Sequence, residues 1–87
     1  WRVDMVQVVE VGKIESTYSN PVAELVQTAC KYESHITVQE GGKYINAKSL
    51  MGMMAFGLKS GMRVEVSADG VDEEQAVESI QHFLACK

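Results

Sequence analysis

The stretch from Ser16 to Val26, STYSNPVAELV, joins residues that begin helices to residues that continue them. Asn is a favoured N-cap, and Pro suits the first turn because its missing N–H would be unpaired there anyway. A helix N-terminus offers unpaired N–H groups and about half a positive charge, which is the chemistry of an anion site. The side chains placed to meet or carry an anion there are Tyr18, Ser19 and Asn20, and none is a His, Cys, Lys or Arg. A second helix start lies at Ser49, whose hydroxyl suits an N-cap and is also a group that a kinase can modify. Phosphate on Ser49 would set about two negative charges beside an apolar stretch, blocking one partner and recruiting another that offers Arg or Lys. Lys48, next to it, either helps to hold such a phosphate or is simply solvated.

The remaining chemistry-bearing residues are scattered. Cys30 and Cys86 form no C-x-x-C pair and have no His near them in sequence, and His35 and His82 stand alone. A zinc site needs three or four clustered ligands, so no metal and no cofactor are expected. A small secreted domain would carry more cysteines, which points to a cytoplasmic protein with two reduced thiols. His35 opens a strand and His82 lies near the end of a helix, where a cation suits the dipole; both read as plain surface residues. The 87 residues make one domain, 1–87, with 46% apolar and 23% charged residues and a net charge of −4. That charge argues against nucleic acid and anionic membrane as direct partners. No apolar run approaches the roughly 20 residues of a membrane span. The chain opens on Trp1, implying a lost or trimmed initiator Met, and shows no signal-peptide pattern.

The elements that must position these residues alternate along the chain. Val3 to Val11 is rich in Val and suits a strand. Val22, Leu25, Val26 and Ala29 recur at helical spacing, a pattern continuing to Tyr32. His35 to Gln39 alternates as a half-buried strand, Gly41-Gly42 supplies the positive φ angles of a tight turn, and Lys43 to Ala47 is the return strand. Ser49 caps a short helix ending between Gly57 and Gly61. Arg63 to Ala68 alternates again, with Val64 and Val66 inward, until Asp69-Gly70 breaks it. Asp72 with Gln75 reads as a capping box, and Ala76, Val77, Ile80, Phe83 and Leu84 give the last helix its stripe. The order is β-α-β-β-α-β-α, an α/β (α+β) open-faced two-layer sandwich: a four-stranded antiparallel sheet with helices on one face.

The short helix carries more apolar surface than such a domain buries. At about 100° per residue, Leu50, Met51, Met54 and Leu58 fill an arc of roughly 100°, and Met53 and Phe56 widen it by roughly 120°. A surface helix buries a stripe only somewhat wider than about 100°, so part of this arc is expected in water. Flexible, polarisable Met suits a docking surface, and Leu50, Met51 and Met54 are the residues expected to face a partner.

Asn46-Ala47-Lys48-Ser49-Leu50-Met51-Gly52 resembles the regulatory-serine motif of the HPr family, the small phosphocarriers of the bacterial sugar phosphotransferase system. Leu25-Val26-Gln27-Thr28-Ala29, Lys31-Tyr32 and Asp69-Gly70-Val71-Asp72-Glu73 match that family in order and spacing. The resemblance runs from about Val9 onward and needs no gap between Ser16 and Phe83. It implies the HPr fold. The family's active-site motif is Gly-Leu-His-Ala-Arg-Pro. Aligned on Pro21, this chain places Tyr18 where the phosphoacceptor His should be and Asn20 where the Arg should be.

The resemblance therefore implies a His-less member, like the catabolite-repression HPr-like proteins, with no catalytic residues of its own. Phosphohistidine passes its phosphate on readily, whereas a tyrosyl phosphate is a stable ester and the phenol is protonated near pH 7. Asn20 lacks a guanidinium fork, and Glu24 adds a like charge in the first turn. Tyr18 is expected to be a surface aromatic beside Leu50, Met51 and Met54, completing with Asn20 a partner-facing cluster. The implied role is regulatory: an HPr kinase phosphorylates Ser49, and the protein then binds a catabolite-control transcription repressor or a metabolic enzyme. The alternatives are an interaction module with no phosphate switch and a genuine phosphocarrier. The oligomeric state is expected to be monomer or weak dimer.

Overall fold

The computed structural model describes residues 5–86. Eight elements follow one another: β1 (Met5–Glu10), α1 (Ile14–Thr17), α2 (Pro21–Ala29), β2 (His35–Glu40), β3 (Lys43–Asn46), α3 (Leu50–Phe56), β4 (Arg63–Asp69) and α4 (Glu73–Ala85). The strands form one antiparallel sheet in the order β1-β4-β2-β3. Alternation fixes the register. In β4, Val64, Val66 and Ala68 are buried, and in β2 Ile36 and Val38 are, so one face of the sheet is apolar and the other wet. The apolar face meets Leu25 and Ala29 of α2, Met53 and Phe56 of α3, and Ala76, Val77, Ile80 and Leu84 of α4. The expected two-layer α+β sandwich is therefore the observed one.

Three local expectations are corrected, and a fourth lies partly outside the described residues. Ile14–Thr17 is a single helical turn, α1, absent from the expected order; it anchors by burying Ile14 and has no side-chain cap. The helix expected to run to Tyr32 stops at Ala29, and Tyr32 belongs to the following turn, its N–H donating to Ala29 O at 3.2 Å. Of Gly41 and Gly42, only Gly41 has a positive φ, 61°. The strand expected from Val3 begins within the described residues at Met5, Val3 and Asp4 lying outside them; beyond Glu10 the pairing continues through Val11, whose N–H donates to Met62 O at 2.8 Å.

The capping box at Asp72 is also corrected. Asp72 is the N-cap residue of α4, but its side chain makes no cap bond. Its carboxylate instead accepts the N–H groups of Glu33 and Ser34, each at 2.9 Å, and the Ser34 hydroxyl. Three donors from a neighbouring loop outweigh one from the helix start, and Ser34 is fully buried, so its donors must be satisfied. Glu73 secures the helix start, its carboxylate accepting from Gly70 N–H at 3.2 Å. Gly70 lies so close to Ser34 that a Cβ there would sit 2.6 Å from Ser34 Cα.

Candidate functional site

The first turn of α2 has the expected geometry for an anion, and its own side chains occupy it. Asn20 is the N-cap, and its Oδ1 accepts from Ala23 N–H at 3.4 Å. Glu24, one turn on, folds back so that Oε2 accepts the Asn20 N–H at 2.9 Å. A carboxylate at a helix N-terminus is favoured by the dipole, so the chain supplies internally the anion that such a turn attracts. Ser19 is exposed beside it.

Tyr18 departs from the expected surface aromatic. It is half-buried, its ring stacked on Phe83 with centroids 4.0 Å apart and planes 5° from parallel. Its hydroxyl donates to the Phe83 carbonyl at 2.9 Å. That carbonyl lies in the last turn of α4 and also accepts the Cys86 N–H at 3.2 Å, so Tyr18 adds a second donor to a helix end 65 residues away. Burial pushes the phenol above its usual range, and the neighbouring Cys86 and Glu24 push it the same way. Tyr18 is thus a neutral donor, and a phosphate on its oxygen would face a carbonyl and a carboxylate.

Ser49 is the N-cap of α3, its Oγ accepting from Gly52 N–H at 3.1 Å. Gly52 fits closely: a Cβ there would stand 3.0 Å from Ser49 Oγ and 3.1 Å from Ile45 Cγ2. Lys48 turns the other way, its Nζ donating to Tyr32 O at 2.7 Å beyond the end of α2. Lys48 is therefore not simply solvated but ties two loops together.

The apolar arc of α3 divides as the periodicity predicts. Met53 and Phe56 enter the core, while Leu50, Met51 and Met54 are 46%, 83% and 65% exposed. Asn20, Val22 and Ala23 of the α2 start share with Leu50 and Met54 a shallow groove of about 330 Å³. The structure therefore brings Asn20, Leu50 and Met54 together, and commits Tyr18 to α4. The residues missed from sequence are Phe83, which holds Tyr18, and Tyr32, which holds Lys48; both pairings are long-range and leave no local signal. Cys30 and Cys86 are free thiols, and His35 and His82 are exposed. Among the described residues no cluster of His, Cys, Asp and Glu could hold a metal, and no helix is long and apolar enough to cross a membrane.

Residues 7–85 match the family model described as the PTS HPr component phosphorylation site. The chain belongs to the HPr family of the phosphotransferase system, whose members carry phosphate rather than catalyse in the usual sense. Within that family it is similar to the phosphocarrier HPr of Bacillus anthracis, at 28% identity over 95% of this chain and 99% of that one, with a TM-score of 0.88. HPr-C-His of Thermoanaerobacter tengcongensis is 34% identical over 95% and 91% of the two chains, with a TM-score of 0.76. The catabolite repression HPr of Bacillus subtilis, Crh, is 32% identical over 95% and 99%, with a TM-score of 0.69 in its solution structure. A crystal structure of Crh is described as a swapped, intertwined dimer.

Proposed function

We propose that this protein is a regulatory member of its family, switched by phosphorylation of Ser49 and docking a partner through Leu50, Met51 and Met54, with Asn20 and Tyr18 at the edge of that surface. The observation that carries the reading is the contrast between two helix starts. At α2 the Ala23 and Asn20 N–H groups are taken by the Asn20 and Glu24 side chains, and Tyr18, two residues before Asn20, is bound to Phe83. At α3 a serine hydroxyl adjoins three exposed apolar side chains. An HPr kinase would act on Ser49, in the cytoplasm of a bacterium. The phosphorylated form would bind a catabolite-control transcription repressor or a metabolic enzyme. Two added negative charges beside Leu50 would favour a partner surface that pairs an apolar pocket with Arg.

The test is intact mass after incubation with HPr kinase and ATP, followed by phosphopeptide mapping. One phosphate, on Ser49, is expected; none would remove the switch. A second reading, docking without a switch, is favoured by one contact: Lys48 is spent on Tyr32 rather than poised at Ser49. Ser49→Asp and Ser49→Ala separate the two, because partner binding indifferent to both but lost in Leu50→Ala supports the unswitched module. Phosphoenolpyruvate and the first phosphotransferase enzyme should yield no acid-labile phosphate; its appearance would make the chain a carrier.

A further inference from the structure

We propose that the outer edge of β1, with the groove between it and α4, accepts an extended basic segment of another protein as a fifth strand. β1 is an end strand of the sheet, with β4 its neighbour on one side and no described strand on the other. The pleat tells which main-chain groups face outward. Val11 N–H donates to Met62 O and Val11 O accepts from Gly61 N–H, both at 2.8 Å, whereas Gly12 N–H turns the opposite way to Leu84 O at 2.7 Å. A period of two then directs the N–H and C=O groups of Val6, Val8 and Glu10 away from β4.

That edge is poorly protected. Met5–Glu10 contains no Pro and no Lys, and it pairs with β4 in unbroken register, without a bulge. Its outward-facing Val6 and Val8 are 47% and 54% exposed. The opposite edge strand, β3, is only four residues long and carries Lys43. Beside β1, two adjoining hollows of about 360 and 540 Å³ meet at Gln81 of α4, and the bond from Gly12 to Leu84 lies at their far end.

Charge selects the occupant. Glu74, Glu78, Glu10 and His82 line this groove, and among the described residues no Lys or Arg does. An added strand would alternate its side chains, one set toward Glu74 and Glu78 and the other beside Val6 and Val8, so the fitting segment alternates basic and apolar residues. A second copy of β1 would bring another Glu10 to an acidic groove on a chain of net charge −4, a like-charge pairing.

The test titrates the isotope-labelled full chain, at low salt, with a short capped peptide alternating Lys and Val. The same peptide with Glu for Lys, and one with alternate backbone nitrogens methylated, serve as controls. Expected are amide shifts and slowed exchange at Val6, Val8 and Glu10, and no binding of either control. Glu74→Lys with Glu78→Lys should weaken binding by about tenfold or more. Val8→Pro, which removes an outward N–H and no ladder bond, should abolish it. Leu50→Ala should leave it unchanged, so that failure here is distinct from failure at α3. Shifts centred on Leu50 and Met54, equal binding of the methylated peptide, self-association through β1, or no binding at millimolar peptide would each overturn the proposal.

Discussion

The Glu24 carboxylate accepts the Asn20 N–H at 2.9 Å and closes the first turn of α2 from within. The turn thereby holds a fixed anion in place of an exchangeable one, and the charge does not depend on any phosphoryl donor. Glu24→Ala removes one partner of that bond and the favourable charge at the helix start. The expected loss is about 0.5–1 kcal/mol of stability, read as a shift of the urea midpoint with unchanged slope.

Tyr18 and Phe83 tie the turn before α2 to the end of α4. Tyr18→Phe keeps the stacked ring and removes the donor to Phe83 O, at a cost of about 1 kcal/mol, or about 4–8 °C in melting temperature for a domain of this size. The raised phenol pKa adds an alkaline signature. The folded state keeps the proton that the unfolded chain releases near its ordinary value, so this contribution is complete below about pH 10. It falls as pH rises through the folded value, and Tyr18→Phe should remove that component of the alkaline unfolding curve.

Asp72 gives the opposite sign. The Ser34 hydroxyl, with the N–H groups of Glu33 and Ser34, holds its carboxyl below the usual range. Glu15 is lowered likewise, first by its own backbone N–H and then by Ser60. Both contributions are complete above the unfolded carboxylate values and disappear as pH falls through the folded ones. Denaturant midpoints should therefore be flat from about pH 5 up to the alkaline fall tied to Tyr18 and decline below pH ~5, and Asp72→Asn should shallow that acid decline.

Glycines report where the backbone has no room. Gly70→Ala forces a methyl group against Ser34 Cα at 2.6 Å and should cost several kcal/mol, on the order of 2–4. Gly42 has nothing within 4 Å of a built Cβ and no positive φ, so Gly42→Ala should change stability by less than about 0.5 kcal/mol. Thermal unfolding of the two variants side by side checks both.

Met51 and Met53 are neighbours with opposite duties. Met53→Ala empties a fully buried site and should cost about 2–5 kcal/mol. Met51→Lys, on a side chain mostly in water, should leave the melting temperature almost unchanged while abolishing partner capture by the Ser49-phosphorylated protein.

The strands and three longer helices were legible because their apolar residues repeat with periods of two or 3.6, and a period is a local property. The exposed part of α3 was legible for the same reason: an arc too wide to bury can be counted from Leu50 to Leu58. What failed was non-local or too short. Ile14–Thr17 is one turn with no capping side chain, below the length at which periodicity shows. Asp72 pairs with Ser34, 38 residues distant, and Tyr18 with Phe83, so a box motif and a surface tyrosine were each overridden by a partner that local sequence does not reveal. Lys48 illustrates the same point, since its reach to Tyr32 depends on how two loops meet.

The strand order has a consequence for how the chain is made. β1 is made before the other strands, yet its partner β4 is encoded last of the four, at Arg63–Asp69. β2 and β3 form a local hairpin and can close early, but β4 lies between that hairpin and β1 and must arrive before either half of the sheet is joined. Such delayed pairing carries a large loop-closure cost and leaves the valine-rich first strand bare throughout elongation. A nascent chain halted after α3 would have a hairpin, three helices and an unmatched strand, so for this fold the sheet is completed only once β4 has been made.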